Sequence, residues 1–592
     1  MFYSQDKNPP HGFLLPVILL VIGLAGCEQQ EVVSPGPGMD GQSVENSYGT
    51  LEQIKLVEIT DRLGVDFTYR NGVEAGERTI LETMGSGVGL VDFDLDGFLD
   101  IFLPGGGQFE DKQIRGHPAA LLRNLGGAGF RDLSSLAGTD HAGVYSHGCQ
   151  VADIDNDGFP DLLVTGYGAL QLYHNQGDGT FREIHEQAGL DNAGWSTSAG
   201  FGDLNADGFV DLYVCNYVDW SFANHPTCIS SNNQPDICSP REFKAIADVL
   251  YFNNGDGTFK DVSDSAGLVK GKEVAFSKGL GVLLGDVDLD GDLDIYVAND
   301  TTPNFLYIND GLGNFQERGL VRSVAFDSRG GANGSMGLDL GDFNGDLLPD
   351  LCVSNYEQEP FGVYENQGQG MFLHASDRIG LGTLGGVFVS FGTAFWDLDR
   401  DGDEDLLVTN GHVINHPDSG QVRQLPLLLV NQEGRHFHRQ GFSGDQYFSA
   451  PHAGRGMAMG DLDEDGRAEI LFANNQERCA IVANQTNNKN HFVRLRLVGR
   501  NGSRDAIGAV AVLESSAGKQ LRMVKGGGSY MSQNEFRLYW GVAEGVEVTG
   551  ITITWPNGAS QMIAEVPLDE TLVVIESRVT GDRGQLKHSD SQ

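Results

Sequence analysis

A chain of 592 residues is too long for one ordinary hydrophobic core, so it holds several domains or one large repeat architecture. Its 82 glycines and 40% apolar content fit many short strands joined by tight turns, and argue against long helices or disorder. A formal charge of −43 excludes nucleic acid as a partner on electrostatic grounds, and carboxylates at such density need cations to coexist in a folded state.

In chain order, residues 1–27 read as a secretion signal: Lys7, an apolar run from Phe13 to Leu24, then small residues. The run is too short to span a bilayer as a mature helix. Leu24-Ala25-Gly26-Cys27 resembles a bacterial lipobox, which implies a lipid on Cys27. The expected address is the bacterial cell envelope, at the outer membrane, facing the periplasm or the surface, with the lipid as the only membrane attachment. Residues 28–50 form a polar, Pro/Gly-rich linker.

From residue 51 to 485 an acidic nonapeptide recurs seven times: DFDLDGFLD, DIDNDGFPD, DLNADGFVD, DVDLDGDLD, DFNGDLLPD, DLDRDGDED and DLDEDGRAE. Calcium takes six to eight oxygens, and carboxylate or amide groups at positions 1, 3 and 5, a carbonyl at 7 and an acid at 9 converge on one point. The expected ligand sets are Asp92, Asp94, Asp96, Phe98 and Asp100; Asp153, Asp155, Asp157, Phe159 and Asp161; and Asp203, Asn205, Asp207, Phe209 and Asp211. They continue with Asp286, Asp288, Asp290, Asp292 and Asp294; Asp342, Asn344, Asp346, Leu348 and Asp350; Asp397, Asp399, Asp401, Asp403 and Asp405; and Asp461, Asp463, Asp465, Arg467 and Glu469. Up to seven Ca2+ sites follow. The fifth loop has Leu347 where the others have glycine and reads as a weaker site. A helix-flanked calcium hand would place Glu at position 12, but that position is Leu103, Val164, Val214, Val297, Val353, Val408 or Phe472, inside strand-like runs. Each loop therefore joins two strands.

A second unit follows several loops: LYHNQGDGTF from Leu172, LYFNNGDGTF from Leu250, LYINDGLGNF from Leu306 and VYENQGQGMF from Val363. Alternating residues around a Gly-rich bend make it a β-hairpin. With one strand before each acidic loop and one after, the repeat holds four strands. Repeats of about 50 residues with four antiparallel strands are propeller blades. The fold class is all-β, a seven-bladed β-propeller, with strand-like alternation again in the C-terminal HFVRLRLVG and ITITW.

These repeats resemble the FG-GAP/VCBS type of integrin α-subunit propellers. The segments RNGSRDAIGAVAVLES, VKGGGSYMSQNEFRLYWGV and ITITWPNG within 486–577 resemble the ASPIC/UnbV domain, which accompanies such repeats in cartilage acidic protein and its bacterial relatives. The resemblance implies a calcium-bound propeller followed by a small β-sandwich-like C-terminal domain, and no particular reaction. Residues 578–592 read as a disordered tail.

Cys228 and Cys238 lie in a polar insertion after the third loop, where an oxidising compartment favours a disulfide; Cys149, Cys215, Cys352 and Cys479 read as small buried hydrophobes. The acidic loops should occupy one face of the propeller. The opposite face, built from the variable connections, is then the expected ligand surface for a protein or glycan. Glu82, His147, Ser198, Lys278, Asn333, Ser390 and Arg455 should ring the channel there, flanked by Asp300 and His412. Two readings stand: a non-enzymatic binding and adhesion module, or an envelope enzyme using Glu82, His147, Lys278 and His412 at the channel mouth. Trp195, Tyr217 and Trp220 either stack on a ligand or pack blade against blade.

Overall fold

The computed structural model describes residues 54–578 apart from 383, 419, 420 and 445; the secretion segment, Cys27, the whole linker and the tail beyond its first residue lie outside the described residues. Among the described residues, seven antiparallel sheets follow one four-stranded plan, the fourth gaining a fifth strand from the C-terminal module. In the first, Gly89–Val91, Asp100–Leu103, Ala120–Asn124 and Phe130–Asp132 step outward in sequence. The acidic loop is the turn between the first two strands, with Val91 opposite Asp100. The sixth repeats this plan with Ser390–Trp396, Asp405–Asn410, Leu427–Gln432 and His436–Arg439. Strands thus flank the acidic loops, as the apolar position 12 requires.

The seventh sheet is completed differently. After Gly454–Gly460, Glu469–Asn474 and Ala480–Asn484 the chain leaves for the C-terminal module, and the outermost strand is Leu56–Glu58 from the N-terminal end, Leu56 opposite Asn484. The innermost strands pack in a cycle, each on the next and the seventh on the first, which is how blades are arranged in a β-propeller.

One asparagine per sheet, at the end of the third strand, ties the cycle together. Asn175 Nδ2 donates to the Phe93 carbonyl of the preceding loop at 2.9 Å and to the Pro160 carbonyl of its own loop at 3.2 Å. Asn253, Asn309, Asn366 and Asn431 do the same to Ile154, Leu204, Val287 and Phe343 of their preceding loops. Asn484 reaches Leu398, and Asn124 reaches Leu462 of the seventh loop, which closes the ring. Buried carbonyls at the second position of every acidic loop are satisfied by the neighbouring sheet.

Inner strands such as Tyr145–Ala152 and Gly454–Gly460 are buried along their whole length. Their glycines answer to crowding at the centre: a Cβ on Gly456 would lie 2.6 Å from the Gly87 Cα. A register shift interrupts five of these strands near their starts, as between Ser146 and Cys149.

The C-terminal module is a sandwich of a three-stranded sheet (Leu538–Val542, His491–Val498, Thr571–Ile575) on a four-stranded one (Gly518–Met523, Val510–Ser515, Val548–Thr554, Ser560–Ile563). Val493, Leu513, Trp540, Ile551 and Ile553 fill it, in one apolar cluster with Leu204, Leu284 and Leu293 of the third and fourth sheets. Between its strands, residues 526–535 enter the centre of the ring. Gly526–Gly527 pairs with the inner strand of the fourth sheet, the Met531 and Gln533 carbonyls accept from Cys149 and Leu90, and the Tyr530 hydroxyl donates to the Met84 carbonyl at 3.2 Å. A Cβ on Gly87 would sit 1.6 Å from the Met531 carbonyl oxygen, so only glycine admits this segment.

Candidate metal loops and the face opposite them

All seven acidic loops share one backbone. The position-1 carboxylate accepts the N–H of position 6: Asp92 from Gly97 at 3.2 Å, Asp203 from Gly208 at 2.9 Å, Asp342 from Leu347 at 3.1 Å, Asp461 from Gly466 at 2.6 Å. The position-5 carboxylate accepts the N–H of position 7, as Asp96 from Phe98 and Asp465 from Arg467. Positions 4 and 6 both have positive φ, 57° at Leu95 and 94° at Gly97 in the first loop. In the fifth loop the glycine sits at position 4 (Gly345, φ 72°) and Leu347 takes φ 68° at position 6, so the expected departure changes residue identity without changing the fold of the turn.

This turn gathers oxygens. Ligand atoms of Asp92, Asp94 and Asp96, of Asp153, Asp155 and Asp161, of Asp286, Asp288 and Asp290, and of Asp397, Asp399 and Asp401 lie within 4.8 Å of one another. Burial pushes the position-9 carboxyls up: Asp100, Asp161 and Asp211 to about 8, Asp350 to about 9, and Asp294, Asp405 and Glu469 well above the ordinary carboxylate range. Burial also raises position 1, to about 7 at Asp153, Asp342 and Asp461 and to about 6 at Asp203 and Asp286. Buried oxygens of Asp92, Asp94, Asp288 and Asp350 have no hydrogen-bond partner. An all-oxygen set with orphaned carboxylate atoms fits a hard divalent cation, which would restore the ionised forms.

Side chains above the loops differ. Arg123 binds Asp94 at 2.5 Å and Asp96 at 3.0 Å, His174 Nε2 stands 2.9 Å from Asp155, and buried Arg494 of the C-terminal module pairs with Asp461 and Glu464. The module lies on this face more broadly. Asp505 accepts the Asp153 N–H at 2.7 Å, Arg522 stands 3.2 Å from Glu404, and the Gly541 N–H donates to Asp397 at 3.0 Å. Sequence reasoning passed over this arrangement; its one signal was the arginine content of 494–537 in a chain otherwise so acidic.

On the opposite face the expected ring is buried and internally bonded, where an open polar mouth was expected. Glu82 accepts the Thr79 N–H at 2.7 Å and burial raises its carboxyl. His147 accepts the Trp195 indole N–H at 3.0 Å and lies 3.2 Å from the Tyr69 hydroxyl, and burial lowers its pKa to about 3. Lys278 donates to the Pro240 carbonyl at 2.8 Å, and Asp300 accepts from the Tyr217 hydroxyl at 2.5 Å. Burial lowers Lys278 and raises Asp300 to about 6. His412 accepts the Ile414 N–H at 3.2 Å, with its other nitrogen 3.4 Å from Glu357. Arg455 donates to the Thr83, Gly411 and Gly454 carbonyls and lies 4.1 Å from the Phe391 ring centre. Ser198 donates to Leu280 O and accepts from Met531 N, and Ser390 donates to Asn410. Asn333 is buried as well. The physical reason is the inserted segment with Tyr530 and Met531, together with an aromatic cluster of Tyr69, Tyr145, Trp195, Tyr217 and Trp220 that fills the centre from this side. Trp195 meets Tyr217 edge-on at 5.2 Å, so these aromatics pack within the protein.

Cys228 and Cys238 form the expected disulfide, and Cys149, Cys215, Cys352 and Cys479 are free and buried. The disulfide hairpin crosses this face: Asp236 accepts the N–H groups of Asn415 and His416, from the connection between the second and third strands of the sixth sheet, at 2.8 and 2.9 Å.

A family model described as FG-GAP-like repeat matches residues 92–164, 153–214, 286–353 and 342–408, and one described as ASPIC and UnbV matches 499–581. Cartilage acidic protein 1 of Homo sapiens is 22% identical over 385 residues, 64% of this chain and 53% of that protein, so the chain spans about half the length of that relative. The Mus musculus protein of the same name is 22% identical over 495 residues, covering 73% and 74% of the two chains. Integrin alpha-3 of Mus musculus is 30% identical over 149 residues, 23% of this chain and 14% of that one.

Proposed function

Because the chain carries FG-GAP-like repeats followed by an ASPIC and UnbV domain, we propose that it is an exported, calcium-stabilised binding module of the bacterial cell envelope, held by a lipid on Cys27, that recognises a protein or glycan through the face opposite its acidic loops. The observation that carries this reading is the division of labour between the two faces. One presents acidic loops of common geometry, several covered by the cations and backbone of the C-terminal sandwich. The other carries the long, variable connections, including the disulfide hairpin, and such loops on a rigid scaffold are where recognition resides. Calcium would be held by positions 1, 3, 5 and 9 and the position-7 carbonyl of each loop, and it would supply the charge compensation that the buried carboxyls lack. The enzyme reading gains no specific support: Glu82, His147, Lys278 and His412 are each held by a different partner and are buried.

The test is a metal count and thermal melting of the purified protein with calcium and with excess chelator. Several bound calcium ions and a chelator-induced fall in Tm of at least about 10 °C are expected. An unchanged Tm with no bound calcium would overturn the calcium half of the reading. For the recognition half, glycan and envelope-protein arrays should give binding that is lost when the connections at 228–238 and 410–418 are replaced by short turns.

A further inference from the structure

The residue just before the inter-sheet asparagine differs in chemistry from sheet to sheet, and in the first, second and fifth sheets its side chain stands at the acidic loop of its own sheet. It is Arg123, His174, Phe252, Ile308, Glu365, Val430 and Ala483 in the seven sheets. Arg123 already places a guanidinium against Asp94 and Asp96 of the first loop. Glu365 lies 3.4 Å from Asn344, the amide in the fifth loop. In the second loop the group is an imidazole: one ligand atom each from His174, Asp155 and Asp157 lies within 4.8 Å of the others, with His174 and Asp155 half-buried and Asp157 exposed.

We propose that the second loop, which can hold calcium like the others, prefers a divalent transition ion such as Zn2+, bound through His174 Nε2 with Asp155 and Asp157, in a ring whose other loops offer oxygen. The inference rests on the calcium-loop reading above for the loop geometry. Imidazole nitrogen is a poor ligand for calcium and a good one for zinc, nickel or copper, so adding one nitrogen to an oxygen set changes the preferred ion. Atoms no more than 4.8 Å apart need only small side-chain adjustments to stand about 2.0–2.2 Å from a single ion. His174 Nδ1 lies 2.7 Å from the Gln176 side-chain nitrogen, which also donates to the His174 carbonyl at 3.1 Å. Ligation through Nε2 puts the ring proton on Nδ1, so Gln176 must then turn its amide oxygen to accept it and give up the bond to the carbonyl.

The experiment uses tag-free full-length protein. Loaded with Mn2+, the wild type should show nitrogen modulation in pulsed electron spin echo spectra, and His174→Phe, which installs the residue type of the third sheet, should abolish it. Zinc titration calorimetry should show one tight site whose affinity falls at least tenfold in His174→Phe and in His174→Arg. Calcium stoichiometry and Tm in calcium should stay within error, which also reports that both variants fold. Bound Mn2+ without nitrogen modulation, or modulation and zinc affinity unchanged by both variants, would overturn this inference and leave the calcium reading intact. Failure of calcium and Mn2+ alike to bind would overturn both.

Discussion

At the residue scale, the asparagine ring does work that the acidic motif conceals. Asn253 donates to the Ile154 carbonyl at 2.8 Å and the Val210 carbonyl at 3.1 Å, and its own oxygen accepts from the Gly255 N–H at 2.9 Å. Truncation strands two buried carbonyls, so Asn253→Ala should cost about 2–4 kcal/mol in urea unfolding with calcium present. Away from the metal loops, Asp248 accepts from the Tyr213 hydroxyl at 2.9 Å and the Asn216 N–H at 2.8 Å, and burial raises its pKa to about 6. A carboxyl raised on folding contributes stability that is present below its unfolded value, near 4, and is lost as pH climbs through 6. Asp248→Asn should remove that dependence. The stability difference between the two proteins should therefore move by about 2.5 kcal/mol in favour of the variant between pH 4 and pH 8, measured as urea midpoints across that range. The asparagine was visible in the sequence as the N of LYHN and LYFN, but its partner is a carbonyl 82 to 99 residues earlier, which no local pattern encodes.

At the element scale, the acidic turn is specified by backbone conformation as much as by charge. Leu347 holds φ 68° where six other loops use glycine, and its N–H still reaches Asp342. Leu347→Gly should therefore stabilise the protein by about 1 kcal/mol, and Gly291→Leu, at φ 102°, should destabilise it by more than that. Calorimetric Tm values of the two variants check both signs. The strands around these turns were readable because position 12 is always apolar and flanked by alternation. The outer strand of the seventh sheet was not: LVE is three residues of no distinctive pattern, and only pairing with Ala480–Asn484 makes it a strand.

At the scale of the whole molecule, the C-terminal sandwich is part of the propeller's centre. Residues 526–535 satisfy backbone groups of Val88, Leu90, Cys149, Val282 and Leu338, and one apolar cluster runs from the third and fourth sheets into the sandwich. A chain ending at residue 485 would leave those groups and that surface exposed. It should melt at least about 10 °C below the full protein or fail to stay in solution, whereas the full protein should unfold in one calorimetric transition. Two separate transitions would show the sandwich to be independent. The acidic turns, the strands beside them, the disulfide and a distinct C-terminal module are legible in the amino-acid order alone, because each depends on residues close together in the chain. How the ring closes, which groups stand over the first, second and seventh loops, that arginines of the sandwich reach the acidic face, and that the channel is filled emerge from the folded arrangement. Those outcomes depend on hydrogen bonds and contacts between residues up to several hundred positions apart, whose energies have no local signature.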